Sequence, residues 1–220
     1  MIKKIDFTKV LIAVLIILFP FYFACIQMLN PIYTDDDIVK EDRLIGMWKS
    51  KDKNLDDAEM HIRKKGDVYQ YSDDGKFSDD KVIEVVPSKT KEQLYLSFNI
   101  DYDKEQLEEL KRSIGKTTAH NGADKKQDTS NATLCFTVMK VLKLTDDELD
   151  IIPWDQDYIL KQLEIKKFEL KYFELNEKKK ELSSNFVIAE ESKKLQEWLI
   201  KNDKELFSKE KLNKLKKIKK

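Results

Sequence analysis

The chain has 220 residues and a mass of 26.0 kDa, room for one medium domain or two small ones. Hydrophobic residues make up 41% and charged residues 37%, which excludes wholesale disorder and points to a heavily solvated surface. Two cysteines exclude a disulfide scaffold and a cysteine-rich metal site, five glycines and four prolines exclude glycine-rich phosphate-loop and collagen-like architectures, and 41 basic residues cancelling 41 acidic ones remove any bulk-charge case for nucleic-acid binding.

Val10 to Leu29 is a run of twenty residues with one amide, Gln27, and no charge. At about 1.5 Å per residue it reaches about 30 Å, one hydrocarbon core. Lys3, Lys4 and Lys9 precede it, whereas Asp35, Asp36, Asp37, Glu41 and Asp42 follow. Under the positive-inside rule the N-terminus stays in the cytoplasm and the remainder is exported, as in a bacterial periplasm. Residues 1–30 therefore read as a membrane anchor or signal segment. Three fates remain open for it: an uncut anchor, lipidation at Cys25 after Ala24, or ordinary cleavage.

Residues 31–42 read as an acidic linker, and a β-rich domain is expected over 43–208. Met60 and Ile62 alternate with His61 and Arg63, the period of a half-buried strand. Lys65-Gly66-Asp67 offers a turn into Val68-Tyr69-Gln70-Tyr71, and Asp73-Asp74-Gly75-Lys76 offers another before a strand at Val82 to Val86. Leu94, Leu96, Phe98 and Ile100 alternate with polar or amphipathic neighbours. A helix follows Asp103 with Leu107, Leu110 and Ile114 on one face, then a polar loop runs from Gly115 to Asn131. A long strand is expected over Leu134 to Leu144, turning at Thr145 to Glu148 into Leu149 to Ile152. Residues 155–166 have helical spacing, Phe168 to Tyr172 and Leu182 to Ile188 have strand spacing, and the helix after Glu190 places Leu195, Trp198 and Leu199 on one face. Residues 209–220 read as a basic tail, a frayed helix end. The fold class is α+β: mainly an antiparallel β meander, barrel-like, with helical insertions and C-terminal helices, preceded by an N-terminal membrane helix.

Candidate chemistry is sparse. Gly115-Lys116-Thr117 ends like a phosphate-binding loop, but the required upstream glycine position holds Leu110. Asp73-Asp74-Gly75 lacks the spaced carboxylates of a calcium loop. His61 and His120 are the only near-neutral bases, and nothing local brings Cys135 to either of them. No catalytic residue, metal site or cofactor is expected.

Leu44-Ile45-Gly46-Met47-Trp48 resembles the Gly-x-Trp start of lipocalin-like barrels. That likeness implies Gly46 and Trp48 as the residues closing one barrel end. Over about residues 44–208 the chain also resembles a family of uncharacterised bacterial envelope lipoproteins, through segments such as Leu94-Tyr95-Leu96-Ser97, Phe136 to Val141 and Leu195-Gln196-Glu197-Trp198-Leu199. This second resemblance implies export, a lipid tether at Cys25 and no assigned activity. Tyr69, Tyr71, Phe98 and Phe136 are the candidates for lining the interior.

The expected function is a membrane-tethered, non-catalytic envelope module that binds a protein partner or an apolar small ligand, with no nucleic acid. The alternatives are a structural or assembly component of a secretion system, an immunity protein and, last, an exported hydrolase. Net charge is unevenly spread behind its zero total. Residues 1–30 hold three lysines against one aspartate and residues 209–220 seven lysines against one glutamate, so the stretch between them carries −8.

Overall fold

The computed structural model describes residues 27–52, 59–77, 82–100, 112, 118–123, 134–174 and 186–218, with Gln27, Ile100, Thr118, Leu134 and Phe136 described by backbone alone. Eight strands form a closed antiparallel ring: β2 (Gly46–Ser50), β3 (Glu59–Lys65), β4 (Val68–Ser72), β5 (Ile83–Thr90), β6 (Gln93–Ile100), β8 (Leu134–Leu144), β9 (Glu148–Pro153) and β12 (Asn213–Ile218). Each pairs with the next in that order. The ring closes because β12 lies between β9 and β2, with Leu215 opposite both Leu149 and Ser50. Closure removes the unpaired edges of an open sheet.

Alternation builds the interior. Trp48, Met60, Ile62, Tyr69, Val85, Leu96, Phe98, Val141, Leu149, Ile151 and Leu215 form one buried cluster that draws on all eight strands. The turns agree with the chemistry expected of them. Gly66 has φ +64° in the two-residue turn between Lys65 and Val68, which pair directly. In the next turn the Asp74 carboxylate accepts from the Lys76 amide and the Ser72 hydroxyl, so it serves the turn itself.

A second core lies outside the ring. The outward residues Tyr95, Val138 and Ile152 pack beneath α1 (Gln156–Glu164), α2 (Ser192–Lys201) and α3 (Asp203–Leu206) through Ile159, Leu163, Leu195, Trp198, Leu199 and Leu206. Asp155 caps α1 by accepting from the Asp157 and Tyr158 amides. Lys140, on the outer face of β8, joins Asp203 at the start of α3 with both carboxylate oxygens at 2.6 Å. A small side sheet leaves β8 through β1 (Gln27–Met28), then β11 (Phe186–Ile188), β10 (Tyr172–Glu174) and β7 (Thr118–His120). The β1–β11 pair is parallel.

Three expected boundaries are corrected. Gln27 to Leu29 belong to the folded body: Met28 and Leu29 are buried, and Met28 pairs with Cys135. An all-apolar run has no period, so it does not show where a span ends and a core strand begins. Residues 31–42 are a strap and not a free linker. Ile32 is buried, Ile38 bridges Ser88 on β5, and Tyr33 accepts from the Asn99 amide at 2.7 Å. Burial pushes the Tyr33 hydroxyl up to about 12, so it stays neutral. Within the expected basic tail, Lys209–Lys211 form a 3-10 turn and Asn213–Ile218 form strand β12 rather than a frayed helix end. Thr118–His120, expected within a loop, is an edge strand on β10. The helix expected after Asp103 and the Gly115-Lys116-Thr117 segment lie outside the described residues.

Among the described residues no helix is long and apolar enough to cross a membrane. Cys25 and the part of the expected membrane segment up to residue 26 lie outside the described residues.

Candidate functional site

Gly46 and Trp48 meet at one end of the barrel. The 3-10 turn Asp42–Leu44 runs into β2 and buries Leu44, whose carbonyl accepts from the Trp48 indole N–H at 2.8 Å. Trp48 is fully buried. Lys217, its cross-strand partner, stretches over the indole with Nζ 4.8 Å from the ring and donates to the Arg43 carbonyl at 2.8 Å. A cation over the face of an indole is attracted by the ring quadrupole. Glycine is required beneath that lysine. Gly46 has φ +140°, and a Cβ there would sit 2.9 Å from Lys217 Cε. Gly46→Ala is expected to lower stability by about 1–3 kcal/mol through backbone strain, with a shift in tryptophan emission as Lys217 leaves the ring. Urea titration followed by fluorescence reads both.

The turn is tied down by polar contacts. Asp42 accepts from Lys64 at 2.7 Å and from the Tyr69 hydroxyl at 2.9 Å, and these hydrogen bonds, Lys64 first, hold its carboxyl below the usual range. Tyr69 in turn accepts from the Glu41 amide. Of the candidate lining residues, Tyr69 and Phe98 are buried in the interior cluster, and Tyr71 meets Phe98 edge to face at 5.5 Å. The Phe136 side chain lies outside what is described. At the other barrel end a pocket of about 150 Å³ lies between β4 and β5, against Tyr71, Phe77 and Ile83.

The candidate bases and the candidate nucleophile are kept apart. His61 stands on β3 with Nε2 2.9 Å from Glu59, and His120 stands on the side sheet, stacked on Tyr172 and 3.3 Å from Glu174. Cys135 is fully buried in β8 beside β1, and burial pushes its thiol up to about 12, so it is not a thiolate at neutral pH.

The remaining concentration of charge is a seam of lysines along β2 and β12. An open groove of about 680 Å³ is lined by Lys49, Ser50, Lys51, Asp147, Lys216, Lys217 and Ile218. One carboxylate beside it is fully engaged: Glu148 pairs with Lys143 and, at 2.5 Å, with Lys51. Lys143 first and then Lys51 hold the Glu148 carboxyl down at about 2. Because the folded pKa is depressed, the contribution is present above the unfolded carboxylate range and is lost as pH falls towards 2. Glu148→Gln is accordingly expected to flatten the fall in urea midpoint between pH 4.5 and 2 relative to the parent.

The sequence exposed none of this seam, because the strands that form it come from opposite ends of the chain. Their shared feature is lysine at alternate positions, Lys49 and Lys51 in one and Lys214 and Lys216 in the other. The chain matches no family model, no curated protein and no solved structure.

Proposed function

We propose that this chain is a membrane-tethered, non-catalytic module of a bacterial envelope, whose exported barrel engages a protein partner through its outer surface. The observation that carries this reading is the filled interior: buried side chains from all eight strands occupy the space in which barrels of this size hold an apolar ligand. The tether rests on the apolar run up to residue 26 and the lysines before it, with Cys25 as the lipidation candidate. The non-catalytic reading is supported by the separation of His61, His120 and the buried Cys135 onto different parts of the body.

Two measurements test it. Carbonate-washed membranes are expected to retain the full chain and to release a variant lacking residues 1–26, with the barrel digestible by protease only from the periplasmic side. A lipophilic fluorescent probe is expected to show no saturable binding that Trp48 quenching follows. Full release of the intact chain would overturn the tether. Saturable one-to-one probe binding inside the barrel would overturn the protein-partner reading in favour of an apolar ligand.

A further inference from the structure

The outer face of the β2–β12 pair is a short ladder of matched residues. Met47 lies opposite Ile218, Lys49 lies opposite Lys216, and the Lys51 amide donates to the Lys214 carbonyl one step further on. The middle rung sets two lysines directly against each other across an antiparallel pair, an arrangement that destabilises a sheet. Each has a carboxylate on its other side. Lys49 faces Glu59 across β3, and Lys216 faces Glu148 across β9. Neither carboxylate serves it: Glu59 is joined to His61, and Glu148 to Lys51 and Lys143. Among the described residues, Lys49 and Lys216 make no ion pair with any acidic group, and Lys216 is exposed.

The position of the seam leaves it open. Around the ring, the β2–β12 junction lies opposite the β5–β6 junction, with β3 and β4 intervening on one side and β8 and β9 on the other. The strap bridges β5 at Ser88 and meets β6 at Asn99, and the helices cover the wall from β6 to β9. The chain's own described coverings therefore lie away from the groove, as does the strand β1 through which the N-terminal segment enters the body.

From this juxtaposition we infer that the β2–β12 groove docks an extended acidic segment of the protein partner, carboxylates against Lys49 and Lys216 and an apolar residue against Met47 and Ile218. The spacing suits that occupant. Lys49 and Lys216, directly opposed across the pair, have Cα atoms about 4.5–5.5 Å apart, and their long side chains can span alternate carboxylates about 6.6 Å apart on an extended chain. Lysines supply single point charges in place of the planar forks that favour phosphate. The inference rests on the protein-partner reading and names the chemistry of that partner.

The test uses the full chain in detergent micelles and a labelled peptide of alternating glutamate and threonine with one terminal leucine. Fluorescence anisotropy at low salt is expected to show saturable binding that is lost with the glutamine counterpart of the peptide. The double substitution Lys49→Gln with Lys216→Gln is expected to weaken binding about tenfold. The same variant is expected to unfold at an equal or higher urea concentration, since it removes an opposed pair of like charges, so a loss of binding is not a loss of fold. Lys40→Gln with Lys204→Gln, away from the seam, is expected to leave binding unchanged. Equal binding by the seam variant overturns the inference, as does tighter binding of anionic phospholipid vesicles or of an oligonucleotide. A photoreactive group at residue 216 in cells separates the two readings. Protein crosslinks from other outer positions, with none from 216, remove the groove and keep the partner. No protein crosslink from any outer position removes both.

Discussion

Deleting residues 213–220 is expected to abolish the cooperative unfolding transition. In sequence these residues read as part of a basic tail, a frayed helix end, and the loss of a frayed end would leave the urea curve unmoved. In the structure Asn213–Ile218 supply the strand that joins β9 to β2, with four paired positions on each side. Their loss leaves two long unpaired edges and removes Leu215 from the interior and Lys217 from the Trp48 ring. An eight-strand ring with one strand missing keeps its local hairpins but loses the side-chain packing that depends on closure. The expected product retains far-UV dichroism, loses near-UV dichroism, binds a hydrophobic dye and associates through its open edges. A control separates strand from charge. Lys214→Thr with Lys216→Thr keeps the backbone pairing and the inward Leu215, and is expected to unfold as cooperatively as the parent.

Trp48→Ala is expected to be the most destabilising single substitution, at about 3–5 kcal/mol. The indole is fully buried at the end of the barrel, its N–H satisfied by the Leu44 carbonyl and its face covered by Lys217. Truncation opens a cavity that rigid strands on every side cannot collapse into, and it leaves the Lys217 stem without a surface. It also frees the Asp42–Leu44 turn that plugs this end. Trp48→Phe keeps most of the volume and loses only the hydrogen bond and part of the cation attraction, so a smaller loss of about 1–2 kcal/mol is expected. Urea midpoints with unchanged slopes measure both values. Since a typical domain is stable by about 5–15 kcal/mol, Trp48→Ala removes a large share of the total.

How far the fold was legible depended on whether a segment has one wet face and one dry one. In β3, Met60 and Ile62 alternate with half-buried His61 and Arg63, and in β6 Leu96 and Phe98 alternate with the polar Ser97 and Asn99, so the period of two stands out even though the outer face of β6 is covered. α1 and α2 lie on the outer wall with a single apolar stripe, and Ile159, Leu163, Leu195, Trp198 and Leu199 repeat at helical spacing. β12 hid itself because only Leu215 faces a fully dry interior. Its next inward residue, Lys217, reaches the barrel mouth with its amine on a carbonyl, so a lysine stands where alternation calls for an apolar residue. β1 was invisible for the opposite reason: Met28 and Leu29 close an apolar run that looks the same in lipid and in a core.

The candidate site was legible only in part. Gly46 and Trp48 are neighbours in sequence, and their spacing marks a strand start that needs a tight approach. Lys217, which makes the approach tight, comes from the far end of the chain. The opposed lysines of the seam are likewise a product of closure. Lys49 and Lys216 each look like one solvated charge among many, and only the β2–β12 register sets them against each other while their neighbouring carboxylates are taken elsewhere.

Amide hydrogen exchange distinguishes a barrel closed by its lysine-rich strand β12 from an open sheet. In a closed ring the inner-strand amides of residues 213–218 open only with the whole barrel, so they are expected to exchange as slowly as those of β3 and to lose protection together with them in urea. Complete exchange of residues 213–218 within seconds, while β3 stays protected, would mean that β12 does not close the barrel.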